Sequence, residues 1–306
     1  MAIKKKASEL FINRELSWLS FNHRVLQEAA SSDVPLIERM RFLGIFSNNL
    51  DEFFRVRVAN LRRALLVGKR MTTTLGFDVA ETLERVSEKV VELQYAYNQV
   101  FEECEAALKA AGIHFLDEHG LSPEQVAFAA KFFDSVVRPT LVPVMVGGGV
   151  PFPELKDGAL YLSVGLKLVD DAGQTRTRFA IIEVPNHLPR FLELPATESG
   201  ECVMFIDDVI RLQLGRIFAL FQPEQLYAHA IKVTRDAEID MDDDLSRSLM
   251  EKMSRGIARR KKGDYVRFLY DARMPAEMLD YIKRKLKLGK QEDVLIAGSR
   301  YHNRRD

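Results

Sequence analysis

The stretch DVAETLERVSEKVVELQYAYNQVFEECEAALKAAG, residues 78–112, decides how the chain divides. Val79, Leu83, Val86, Val90, Leu93, Tyr97, Val100, Cys104 and Leu108 recur at alternating spacings of four and three, which places them on one face of a helix. Asp78 followed by Glu81 has the spacing of a capping box. No Pro or Gly interrupts the run before Gly112, which suits a C-terminal cap. The pattern predicts one helix of ~33 residues, roughly 50 Å long at 1.5 Å per residue. Such a seam could join a coiled coil. The bundle reading is favoured, because flanking amphipathic helices need something to pack on.

Those flanking segments lie upstream. Leu16, Leu19, His23 and Leu26, with Trp18, Val25 and Ala29 beside them, make a broad apolar face at helical spacing. Pro35 suits a first helical turn, and Leu36, Ile37, Met40, Leu43 and Phe46 follow as a stripe. Ser47-Asn48-Asn49 is then expected to interrupt the pattern. Asn49-Leu50-Asp51-Glu52 has the spacing to cap a further helix carried by Leu50, Phe54, Val58, Leu61 and Leu65.

Beyond Gly112 the character changes. Ser122-Pro123-Glu124-Gln125 opens a helix expected to end near Arg138-Pro139. Leu160 to Val169 alternates, Asp170-Asp171-Ala172-Gly173 supplies a turn, and Arg178 to Val184 returns, which reads as a hairpin. Further strands are expected at 228–234 and 265–270, and helices at 207–221, 244–262 and 275–287. The fold class is therefore α followed by α+β: a helical domain over 1–112, then an α+β domain over 113–306 with a mainly antiparallel sheet.

Composition narrows the function. The 306 residues are 47% hydrophobic, enough for a sizeable core. Lys plus Arg equals Asp plus Glu at 44 each, so no global field points to nucleic acid or a membrane surface, and a polyanion site must come from local clustering. Two cysteines, Cys104 and Cys202, make neither a disulfide scaffold nor a four-ligand zinc site and suit a reducing, cytoplasmic setting. No run of 18 apolar residues predicts a membrane span.

Single residues carry less. None of the six histidines sits in an HExxH pattern, so each reads as structural or surface, and no metal ligands are assigned. Gly147-Gly148-Gly149 lacks the Lys-Ser/Thr that would follow it in a phosphate loop. The acidic residues from Asp236 to Asp244 could hold a divalent ion, but they equally suit a helix N-terminus. Arg259, Arg260, Lys261 and Lys262, the cluster from Lys283 to Lys290, and Arg55 and Arg57 are candidate polyanion contacts; such runs also serve as solvated helix ends. Asn49 stands out. It suits an N-cap, and its carboxamide also offers the donor and acceptor that read an adenine edge.

Longer motifs add a resemblance. Asn13-Arg14-Glu15-Leu16-Ser17-Trp18-Leu19-Ser20-Phe21-Asn22, Pro35-Leu36-Ile37-Glu38-Arg39 and Ser47-Asn48-Asn49-Leu50-Asp51-Glu52-Phe53-Phe54 closely resemble the opening of bacterial type 1 polyphosphate kinases. Arg138-Pro139, Glu183-Val184-Pro185, Lys232-Val233-Thr234-Arg235-Asp236-Ala237-Glu238 and Tyr301-His302-Asn303 resemble that family's head domain. The resemblance implies reversible transfer of the terminal phosphate of ATP to polyphosphate, with Mg²⁺, through a phosphohistidine. It also implies a homodimer or higher homo-oligomer formed through the head domain, and it matches Asn49 to the family's nucleotide-contacting asparagine. The family's H-x-K histidines and Mg²⁺-binding arginines have no counterpart in these 306 residues. No catalytic residue or metal site is therefore expected here, and His302 is not assigned as the nucleophile. The chain alone is expected to be inactive. The alternative is a stand-alone, non-catalytic protein that binds polyphosphate or regulates a partner on the same scaffold.

Overall fold

The computed structural model describes residues 12–67, 77–169, 173–236, 265–288 and 294–302. Its first part is helical: α1 (Arg14–Ala30), α2 (Leu36–Glu52), α3 (Ala59–Val67) and α4 (Val79–Ala110). Asn13 caps α1, its Oδ1 accepting the Glu15 and Leu16 amides at 2.9 and 3.4 Å. The long helix of the opening stretch runs for 32 residues. Asp78 Oδ1 accepts the Ala80 and Glu81 amides at 2.8 and 3.1 Å, and Gly112 leaves the helix at φ +84. Helices α1, α2 and α3 all pack on α4, so the seam belongs to a bundle.

One expectation fails here. Ser47-Asn48-Asn49 does not interrupt the helix: α2 passes through it to Glu52 and continues as a π-helical turn, Phe53–Val58, directly into α3. Asn49 caps nothing. Low intrinsic helix propensity loses to tertiary packing, because Phe46, Leu50, Phe53 and Phe54 are all buried along the continuous run.

The second part contains α5 (Pro123–Phe132), extended by a π turn (Phe133–Val137) and a 3₁₀ turn (Arg138–Thr140), as the sequence led us to expect. The hairpin forms from β3 (Leu160–Val169) and β4 (Thr175–Glu183), with Val164 opposite Ala180. The expected strands at 228–234 and 265–270 are β7 (Gln225–Arg235) and β8 (Tyr265–Asp271). The expected helix at 275–287 is α8 (Ala276–Leu286). The single helix expected at 207–221 is broken into α6 (Ile206–Leu212), α7 (Leu214–Ile217) and a 3₁₀ turn. The chain leaves helical geometry at Gln213 and Phe218, which keeps Ile206, Ile210, Leu214 and Phe218 all in the core. The helix expected at 244–262 lies outside the described residues.

The strands β1 (Ile113–Leu116), β2 (Val144–Val146), β5 (Phe191–Thr197), β6 (Gly200–Phe205) and β9 (Leu295–Gly298) complete two sheets. One is ordered β1-β6-β5 and the other β2-β4-β3-β7-β8-β9, antiparallel except for the pairs β1·β6 and β8·β9. Alternation along β3 and β7 gives the larger sheet two apolar faces. Ile181, Ile231 and Phe268 pack on α8 through Met278 and Ile282. Leu162, Val164 and Ala230 pack towards α5, α6 and the smaller sheet. The helical core does not end at the bundle: Val266, Leu269 and Ile296 from β8 and β9 belong to it.

Candidate functional site

Helix α1 meets α2 and the π turn that follows it through three matched pairs, set by residues about one turn apart on each side. Arg57 Nη1 donates to Glu15 Oε2 at 3.1 Å. The Trp18 and Phe53 rings stack at 4.8 Å. Asn49 Nδ2 donates to Asn22 Oδ1 at 3.0 Å. Asn49, Phe53 and Arg57 are thus one row, and Glu15, Trp18 and Asn22 the facing row.

The asparagine pair is ordered from below. Asn22 is fully buried and donates its Nδ2 to the Phe46 carbonyl at 3.2 Å, which turns its Oδ1 towards Asn49. Asn49 itself is half-buried. With one Nδ2 hydrogen engaged, its second hydrogen and its Oδ1 keep their capacity for another partner. The sequence singled out Asn49, whereas Asn22 figured there only as the last residue of the motif that begins at Asn13.

Arg55 and Arg57, two of the candidate polyanion contacts, are both ion-paired. Arg55 bridges Glu52 at 3.3 Å and Asp157 at 3.2 Å, tying the π turn to the loop before β3. The structure brings Arg57 onto the Asn49 row and turns Arg55 towards that loop. Arg259, Arg260, Lys261 and Lys262 lie outside the described residues. Of the acidic stretch only Asp236 is described, and it pairs with Arg63 at 2.6 Å. Among the described residues no group of three or more His, Cys, Asp or Glu side chains could hold a metal ion. No helix among them is long and apolar enough to cross a membrane.

Two positions beyond Asn49, Asp51 points to the sheet. Its carboxylate accepts from Arg267 Nη1 at 2.8 Å and from Lys232 Nζ, and both cations are buried, at 3% and 4% exposure. Burial lowers the Arg267 pKa, opposed by the Asp51 charge. The Arg267 guanidinium also lies 4.9 Å from the Phe54 ring centroid. This triad bolts the turn carrying Asn49 to β7 and β8.

His302 is buried behind it. Its Nε2 is 3.1 Å from the Ala230 carbonyl, which can only accept, so Nε2 carries the hydrogen. Burial pushes its pKa down to about 3. The buried ring is neutral and gives its Nε2 hydrogen to the β7 backbone.

Residues 11–116 match the family model described as polyphosphate kinase N-terminal domain, and residues 124–306 match the polyphosphate kinase middle domain. The chain is 39% identical over 306 residues to a polyphosphate kinase of Vibrio parahaemolyticus, covering 98% of this chain and 43% of the relative. It is 35% identical over 303 residues to one of Escherichia coli K12, covering 97% and 43%. A crystal structure of polyphosphate kinase from Porphyromonas gingivalis superposes with a TM-score of 0.76 at 30% identity, over 96% of this chain and 40% of that one. The chain therefore spans about two-fifths of the length of these relatives.

Proposed function

The chain belongs to the polyphosphate kinase family, and from that membership we propose that it supplies the N-terminal and middle portions of an enzyme that reversibly transfers the terminal phosphate of ATP to polyphosphate. In this reading Asn49 contacts the nucleotide base. The observation that carries it is the buried Asn22, which fixes the Asn49 carboxamide and leaves one donor and one acceptor to meet an adenine edge. The protein's task here is positioning: a preset amide holds one end of ATP so that the γ-phosphate meets its acceptor in line.

The phosphate-accepting histidine and the Mg²⁺ that accompanies ATP belong to residues outside this chain, so no step in these residues is routed through the metal. The head portion serves a homo-oligomer.

The test is conversion of labelled ATP to polyphosphate by the chain alone, and by the chain with the C-terminal half of a relative added in trans. We expect activity only with the added half. Asn49→Ala should then raise KM for ATP by roughly tenfold or more, the equivalent of one well-made hydrogen-bonded contact, with a smaller effect on kcat. Synthesis by the chain alone would place the accepting group within these residues and overturn the reading. An unchanged KM would leave Asn49 as a packing partner of Asn22 only.

A further inference from the structure

Two motifs that stand out in the sequence and that the nucleotide site does not use, Gly147-Gly148-Gly149 and the cations from Lys283 onward, meet on one surface. Met278, Ile282 and Leu286 turn one side of α8 into the core. The last turn of that helix carries Lys283, Arg284 and Lys285, and Lys287 follows at once. Arg284, Lys285 and Lys287 are exposed, and Lys283 is half-buried. Tyr281 joins this turn to the glycines. Lys285 Nζ lies 5.6 Å from the Tyr281 ring centroid, and a Cβ on Gly147 would lie 3.4 Å from the Tyr281 Oη. A Cβ on Gly148 or Gly149 would meet nothing within 4 Å, so the tip of that loop is open backbone.

Elsewhere the basic side chains are matched: Arg55, Arg57, Arg63 and Arg267 each pair with a carboxylate. Among the described residues, Lys283, Arg284, Lys285 and Lys287 have no carboxylate partner. A helix C-terminus favours a cation, but Lys283 and Lys287 stand one turn apart, where like charges repel. The backbone at Lys287 points the same way. The Leu288 amide donates to the Lys283 carbonyl at 2.9 Å and the Lys287 amide to the Arg284 carbonyl at 3.3 Å. The helix thus closes in a Schellman motif, with Lys287 in its left-handed position at φ +59. Glycine ordinarily stands there, because a Cβ is disfavoured at that φ. Lysine forgoes that ease and adds a fourth cation to the turn.

Four cations without carboxylates, beside a glycine tip that keeps the approach clear, fit a flexible chain of closely spaced negative charges better than a single carboxylate. We propose that the end of α8, with Gly147-Gly148-Gly149 beside it, is a docking surface for an inorganic polyphosphate chain, held by Lys283, Arg284, Lys285 and Lys287. The choice of polyphosphate among polyanions rests on the function proposed above; the uncompensated charge does not.

The experiment titrates the full chain with end-labelled long-chain inorganic polyphosphate, read by fluorescence anisotropy at several salt concentrations, with a single-stranded RNA of matched charge as a second arm. Saturable binding of polyphosphate that weakens with salt is expected. Each cation that neutralises a phosphate adds about 0.7 to the slope of log affinity against log salt. Lys283→Gln, Arg284→Gln, Lys285→Gln and Lys287→Gln together should weaken binding by roughly tenfold or more and lower that slope by about 2–3. Lys287→Gly separates charge from fold: it should raise the melting temperature, since glycine suits the left-handed position, and still weaken polyphosphate binding. Asn49→Ala should leave binding unchanged. Unchanged affinity and slope in a folded quadruple variant, equal affinity for RNA, or no binding by the unaltered chain overturns the proposal. Conversion of ATP with the C-terminal half added in trans judges the proposed function separately. Synthesis there without binding here would overturn this surface alone, and binding here without synthesis there would overturn that function alone.

Discussion

Replacing Asp51 by Asn keeps the shape of the side chain and removes its charge. Arg267 then remains at 3% exposure without the carboxylate it donated to, and Lys232 loses one of its partners. Removing one partner of a buried ion pair costs about 3–5 kcal/mol, because the remaining charge stays desolvated. The Arg267 guanidinium is the cation left without its carboxylate, so a loss within that range is expected. This is a large share of the ~5–15 kcal/mol that holds a domain folded. With a urea m-value of about 2–3 kcal/mol/M, the midpoint should fall by about 1–2 M. Trp18, stacked on Phe53, reports the helical part by fluorescence, and far-UV circular dichroism reports the whole. Adding Arg267→Met to Asp51→Asn removes the surplus charge and should recover part of the loss. A loss below about 1 kcal/mol, or no recovery in the double variant, would refute the claim that the triad bolts helix to sheet.

His302 should make stability pH-dependent. Its folded pKa of about 3 lies below the ordinary 6.5, so the unfolded chain takes up a proton that the folded one refuses. The contribution is full above pH 6.5 and is lost as pH falls towards 3, by about 2 kcal/mol between pH 7 and 5. His302→Gln keeps a donor for the Ala230 carbonyl, and melts across that range should show a flatter slope; identical slopes would contradict the assignment. Gly200 sits at φ +133 with the Gly112 carbonyl oxygen only 2.0 Å from where a Cβ would lie. Gly200→Ala should therefore cost at least ~2 kcal/mol and speed hydrogen exchange at the Glu201 amide, which donates to that carbonyl at 2.8 Å; unchanged protection there would refute it.

The readable parts of the sequence were those where one segment carries its own signal. Asp78, the nine apolar residues after it and Gly112 predict α4 almost to its ends, because cap and stripe are local. The β3–β4 hairpin was legible for the same reason. Strands such as β1 and β9, four residues each, are too short to show a period, and each pairs in parallel with a strand distant in sequence. At the candidate site, Asn49 was visible but its local role was misread: capping propensity describes a free segment, whereas Asn22 and the buried aromatics keep the helix running. Asp51, Lys232 and Arg267 were not visible as a unit at all. They lie 181 and 216 residues apart, and nothing in either neighbourhood announces the other.

The presence of Val266, Leu269 and Ile296 in the helical core carries a consequence for how the protein is made. Synthesis proceeds from the N-terminus at about 5–20 residues per second. The four helices therefore emerge roughly 10–30 s before β8 reaches them. For that interval Phe54 lacks the Arg267 that later lies over its ring, and Asp51 lacks both of its cations. A nascent bundle with an open apolar side is a natural client for a holding chaperone. The arrival of β8, rather than the completion of α4, is the event that closes it.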